Sequence, residues 1–155
     1  MTVPQQGEKA PAFKLPRDGG ATVALADFKG RQLVLYFYPK ADTDACTREA
    51  QDFTRLRRDF DAAGAVVIGV SRDPVKALDR FQAKYDLGVQ LATDESLKVL
   101  EAYGVWGEKS MYGRSYLGIA RTTFLIDGKG RIARVWEKVK VKDHAEEVLA
   151  AAKAL

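Results

Sequence analysis

The stretch that decides the fold is Leu33-Val34-Leu35-Tyr36-Phe37-Tyr38-Pro39-Lys40-Ala41-Asp42-Thr43-Asp44-Ala45-Cys46. Its first six residues are aliphatic or aromatic, so both faces of an extended chain would be apolar. A run that short and that apolar predicts a buried central strand. Pro39 ends it, because proline has no N–H to give a ladder. A polar loop follows over Ala41 to Ala45. Next comes a helix over Thr47 to Ala63, where Ala50, Phe53, Leu56, Phe60 and Ala63 recur at three- and four-residue steps. Gly64 stands at the position of a helix stop. Cys46 falls in the first turn of that helix.

Outward from this unit the pattern alternates. Ala65 to Ser71 is a second buried strand. Asp73-Pro74 opens a helix, with the aspartate as cap and the proline at the first helical position. Its inner face is Ala77, Leu78, Phe81 and Tyr85. Val89 to Ala92 predicts a short strand and Ser96 to Tyr103 a short helix. Gly104 to Gly118 has no period and is expected to be a long loop. Thr122 to Ile126 and Ile132 to Val139 flank Asp127-Gly128-Lys129-Gly130, which predicts a hairpin. Asp143 should cap a last helix, with Val148, Leu149 and Ala152 inside. Before all of this, Pro11 to Gly20 reads as an irregular arm, extended at Ala12 to Leu15. The order β-α-β-α-β-α-β-β-α predicts an α/β protein with a mixed central sheet and helices on both faces. A thioredoxin-like fold, as one domain over residues 1–155, fits that order better than a Rossmann or flavodoxin-like one.

Bulk properties narrow the function. The 155 residues are 46% hydrophobic and 30% charged, enough apolar mass for a core in a soluble protein. The net charge of +4 comes from well-mixed charges. Arg55, Arg57 and Arg58 read as a solvated helix face, and Lys138, Lys140 and Lys142 as a half-exposed strand end. Neither is a nucleic-acid patch. The longest uncharged run, Ala62 to Ser71, is far short of the roughly 20 residues that span a bilayer. Met1 to Gly7 has neither a basic nor an apolar leader region, so a cytoplasmic location is expected. No phosphate-binding glycine motif occurs. His144, the one histidine, has no companions suited to a metal and is expected at the surface.

Cys46 is the one cysteine. That excludes an internal disulfide, a paired-thiol redox motif and a zinc site of several thiolates. An inert buried residue, a lone reactive thiol and an intermolecular pairing site remain open. A helix N-terminus carries unpaired N–H groups and partial positive charge, both of which favour a thiolate. The polar neighbours Asp42, Thr43, Asp44 and Thr47 argue against a core position.

These residues resemble a known family. Pro39 to Cys46 fits the P-x-x-x-T-x-x-C loop of the peroxiredoxins, and it follows a Tyr-Phe-Tyr strand. Gly7 to Phe13, Val70 to Asp73 and Gly118 to Asp127 are similar to other family stretches. Tyr103 to Lys109 is similar to the bacterioferritin-comigratory (PrxQ) branch. The resemblance implies a thiol peroxidase without a cofactor. Cys46 would be the peroxidatic nucleophile, becoming a sulfenic acid as the peroxide leaves as water or alcohol. Thr43 would offer its hydroxyl to thiolate and peroxide. Arg121 would stabilise the thiolate and the leaving oxygen. Pro39 would shield the sulfur from water. Backbone N–H groups of Ala45 and Cys46 would complete the peroxide cradle. Glu49 would orient Arg121.

Two departures from the family pattern matter. Asp44 and Ala45 stand where Pro-Gly is common, and Asp44 brings a negative charge toward the sulfur. Gln51 and the region of Gln82 hold no resolving cysteine. The expected cycle therefore uses one cysteine and an external reductant: thioredoxin, glutaredoxin or a small thiol. No nucleic-acid or membrane partner is expected, and the chain should be a monomer or weak homodimer. A second reading is a peroxide sensor that passes oxidation from Cys46 to a partner.

Overall fold

The apolar run forms the middle strand of the sheet. A computed structural model describes residues 2–155. In it the first two strands, β1 (Lys14–Pro16) and β2 (Thr22–Ala24), form a small antiparallel pair in the N-terminal arm. β3 (Gln32–Phe37) is the central strand, and Leu33 through Phe37 are fully buried. It lies parallel to β4 (Ala65–Ser71), which lies parallel to β5 (Gln90–Thr93). β6 (Trp106–Met111) and β7 (Arg114–Ile119) pair only with each other. On its other edge β3 lies antiparallel to β8 (Thr122–Ile126), and β9 (Ile132–Trp136) follows. The sheet order is β5-β4-β3-β8-β9, a mixed thioredoxin-like sheet.

The alternation along β3 divides the core. Val34 and Tyr36 face α1 (Asp44–Arg55), α2 (Arg57–Ala62), α3 (Val75–Tyr85) and α5 (His144–Lys153), meeting Phe53, Phe60, Phe81 and Val148. Leu33, Leu35 and Phe37 face the other way, toward Phe13, Leu15 and Phe28 of the arm and Leu100 of α4 (Lys98–Ala102). Each such phenylalanine stabilises the fold by about 2 kcal/mol through burial. Tyr36 packs directly on Gly69, its register partner on β4. A Cβ at Gly69 would lie 2.5 Å from the tyrosine ring, so only glycine admits it.

Several expectations need correction. The helix expected over Thr47–Ala63 starts earlier, at Asp44, and breaks at Leu56. Near the break, the Thr54 hydroxyl donates to the Ala50 carbonyl at 2.7 Å, a contact that bends helices, and accepts the Gly88 N–H at 3.0 Å. Asp73 does not cap α3. Pro74 occupies the cap position, and the Asp73 carboxylate accepts the Ser71 hydroxyl and the Ala41 N–H. Asp143 precedes α5 in a left-handed conformation, without a side-chain cap bond. The Lys138–Lys142 segment lies beyond β9 rather than in it. There the Val139 N–H donates to the Arg121 carbonyl at 3.0 Å.

The largest difference is the expected loop over Gly104–Gly118, most of which is the β6–β7 hairpin. Its turn is Tyr112-Gly113, with φ of 54° and 77°. Two positive φ values suit a tight hairpin turn. Tyrosine at the first of them hides the usual Asn-Gly signal. Both faces of the ribbon are largely open, so no apolar alternation marks its strands.

His144 is buried, not at the surface. Its Nε2 lies 2.8 Å from the Thr123 hydroxyl, and Phe53 and Trp136 pack edge-on to the ring. The first turn of α5 runs in over the sheet, where β8 supplies the hydroxyl partner. Burial, and then the Arg121 charge, lower the imidazole from 6.5 to about 4. The unfolded chain therefore binds the proton first as pH falls. Stability from a neutral His144 is complete above about 6.5 and is lost toward pH 4. The difference in Tm between the wild type and His144→Gln should narrow as pH falls from 7 to 4. Thermal melts across that range check this, and a constant difference contradicts it.

Candidate active site

The loop after β3 is tied down at several points. The Tyr38 N–H donates to the Val70 carbonyl at 3.1 Å, and the Ala41 N–H to Asp73 Oδ2 at 2.9 Å. Asp42 turns the chain with a φ of 62°, in the left-handed region that aspartate tolerates. From α3, Tyr85 donates its hydroxyl to Asp42 at 2.6 Å and Lys84 its ammonium at 2.9 Å. These two bonds hold the Asp42 carboxyl below its usual range. Thr43 is then the cap residue of α1.

Cys46 is the third residue of α1 and is 1% exposed. The Thr43 side chain makes no cap bond, and first-turn N–H groups have no acceptor within their helix. The N–H groups of Ala45 and Cys46 are thus available to an anion or a peroxide oxygen. Glu49 is three residues on, so the same helix face carries both side chains.

Arg121 reaches that face from the short link between β7 and β8. Its Nη1 donates to Glu49 Oε1 at 2.7 Å and its Nη2 to Cys46 Sγ at 3.3 Å. One guanidinium therefore bridges a buried carboxyl and a buried sulfur. Its planar fork aims two donors in one fixed geometry, which a compact ammonium on a flexible stem does not. Burial pushes the Glu49 carboxyl up to about 7, against the pull of Arg121. Glu49 Oε2 has no protein partner.

The expected residues converge unequally. Cys46, Glu49 and Arg121 touch through hydrogen bonds, and Ala45 adjoins the sulfur along the helix. Pro39 is half-buried in the loop wall. Thr43 differs from expectation: its hydroxyl donates to the Lys40 carbonyl at 2.8 Å, not to Cys46. While it does so, its oxygen remains an acceptor. Asp44 is exposed in the first turn. Among the described residues no group of three His, Cys, Asp or Glu side chains could hold a metal.

Sequence reasoning missed the anchors Asp42, Asp73, Lys84 and Tyr85. Asp73 is visible in the sequence as a helix-cap signal and within the Val70 to Asp73 family stretch, and neither shows its contact with Ala41. Lys84 and Tyr85 carry no local signal, since their partner lies 42 and 43 residues away.

A thioredoxin-like sheet with a buried helix-start cysteine on an arginine defines a thiol-chemistry class. Residues 6–135 match the AhpC/TSA family. The chain is 49% identical to a putative peroxiredoxin bcp of Coxiella burnetii, with 92% of this chain and 95% of that one covered. It is 47% identical to the peroxiredoxin Bcp of Bacillus subtilis, covering 96% and 94%. Among solved structures, peroxiredoxin Q of Xanthomonas campestris superposes with a TM-score of 0.88 at 42% identity, covering 99% and 96%. A PrxQ of Xylella fastidiosa gives 0.93 at 38%, covering 99% and 98%. This chain belongs to the AhpC/TSA family of peroxiredoxins, in the Bcp/PrxQ branch.

The Arg121–Glu49 hydrogen bond makes a positioning role for Glu49 testable. Glu49→Gln keeps the shape and weakens the hold on the guanidinium. Oxidation of Cys46 by hydrogen peroxide, followed by stopped-flow, should slow about 10- to 100-fold. An unchanged rate removes Glu49 from this role.

Proposed function

We propose that this peroxiredoxin is a thiol-dependent peroxidase of the one-cysteine type, acting on hydrogen peroxide and organic hydroperoxides. The Arg121 guanidinium 3.3 Å from Cys46 Sγ carries the reading. The Cys46 thiolate attacks the terminal peroxide oxygen. An S–O bond forms as the O–O bond breaks, and the other oxygen takes a proton and leaves as water or alcohol. Arg121 stabilises the thiolate and then the charge growing on the leaving oxygen. The Ala45 and Cys46 N–H groups and the Thr43 oxygen position the peroxide, and Pro39 limits access of water. Alkyl peroxide reduction is the activity named for the bacterioferritin comigratory protein of Xanthomonas campestris, a structural relative at 42% identity, and it supports organic substrates here.

The second half-reaction needs a thiol from elsewhere, because Cys46 is the one cysteine of the chain. An incoming thiol displaces water from the sulfenic acid and forms a mixed disulfide. A second thiol then releases Cys46. Thioredoxin, glutaredoxin or a small thiol fills this place. A reducing cytoplasm suits a lone thiol. The chain acts as one domain, as a monomer or weak homodimer. Among the described residues no helix is long and apolar enough to cross a membrane.

Mass spectrometry after one equivalent of hydrogen peroxide should find one oxygen on Cys46. With each candidate thiol added in turn, at least one should support many turnovers per chain. Cys46→Ser should abolish both. A single oxidation that no thiol reverses would favour the sensor reading instead.

A further inference from the structure

Beside the loop lies a cavity of roughly 400 Å³ between the β6–β7 hairpin and the start of α3. Hydrogen peroxide at the sulfur has no use for a space that large. Its apolar wall is Pro39, Pro74, Trp106, Tyr116, Leu117 and Ile119. Pro39 belongs to the loop that leads to Cys46, and Ile119 stands two residues before Arg121. The cavity therefore adjoins the two segments that carry Cys46 and Arg121, although neither of those residues lines it.

Its charges are one-sided. Lys40, Arg72 and Lys109 line it, against the single carboxylate of Asp73. Asp73 already accepts the Ser71 hydroxyl and the Ala41 N–H. None of the three cations takes part in an ion pair among the described residues. Arg72 lies over the Trp106 ring at 5.1 Å. Lys109 is built in more firmly. Its stem crosses Gly118, where a Cβ would come within 3.0 Å of Lys109 Cδ. Its ammonium donates to the Ile119 carbonyl at 2.9 Å, which leaves further donor capacity on that group. It is half-buried, and burial together with the Arg121 charge holds its proton less tightly than usual. A partly desolvated cation without a counter-ion, in an apolar cavity, is matched by an anion on an apolar body.

We propose that this cavity is a subsite for organic hydroperoxides that carry a carboxylate, with Lys109 and Arg72 as specificity-determining residues. The proposal rests on the peroxidase reading and names the substrates that site favours. The apolar body lies against Trp106 and Leu117, the carboxylate meets the two cations, and the peroxide end reaches Cys46. The thiolate takes the terminal oxygen, and the alkoxide takes a proton and leaves as the alcohol. Only the part of the substrate remote from the O–O bond is read here.

Cumene hydroperoxide and its para-carboxylate form a matched pair that differs by one charge. At low salt the wild type should favour the carboxylate in kcat/KM by about tenfold. Each protein's rates are divided by its own rate with hydrogen peroxide, which corrects for altered folding. Lys109→Met keeps the stem over Gly118 and should bring the preference near unity. Arg72→Gln, at an exposed position, should reduce it in part. No preference in the wild type, or an equal preference in both variants, overturns the subsite. Variants that change only the KM for a protein reductant would assign the cavity to that partner and overturn it as well. No turnover with any peroxide overturns the peroxidase reading itself, whereas turnover of hydrogen peroxide without a carboxylate preference overturns the subsite alone.

Discussion

A single guanidinium holds this site together. Arg121 joins Glu49 and Cys46, and its side chain is only 14% exposed. A buried charge is costly unless it is paired, and a buried carboxyl needs the same partner. The requirement is met from two directions. α1 brings Cys46 and Glu49 on successive turns of one face. The β7–β8 link brings Arg121, fixed by the Ala120 N–H on the Val105 carbonyl and by the Val139 N–H on its own carbonyl. The central strand β3 sits between these parts, since it leads into α1 and pairs with β8.

The loop before Cys46 has its own restraints. Asp42 is held by two residues of α3, Ala41 by Asp73, and Thr43 by the Lys40 carbonyl. Together they set the angle at which α1 starts and keep the sulfur at 1% exposure. A hydrogen peroxide molecule needs little room to reach such a sulfur.

Much of this was legible in the residues, for physical reasons. Burial on both faces wrote β3 as an unbroken apolar run. The steps of Ala50, Phe53 and Phe60 marked one helical face. The polar loop and the helix start singled out Cys46, and the family resemblance supplied Thr43, Arg121 and Glu49. Information that depends on distant partners was not legible. His144 looked solitary because its partner Thr123 lies on another strand. The β6–β7 hairpin escaped notice because an open ribbon imposes no alternation and Tyr112 takes a turn position that asparagine usually fills. Lys109 ends a stretch similar to the PrxQ branch, but its contact with the Ile119 carbonyl across that hairpin has no local signal. Asp73 was legible as a cap and turned out to brace the active-site loop.

The second-order rate of Cys46 oxidation by hydrogen peroxide, in wild type and Arg121→Lys, tests the central claim most directly. Lysine keeps the charge and loses the fork that spans Glu49 and Cys46. The wild type should react far faster than free cysteine, and Arg121→Lys should lose about 100-fold or more of that rate. A wild type no faster than free cysteine, or an Arg121→Lys variant that keeps the wild-type rate, would contradict the account.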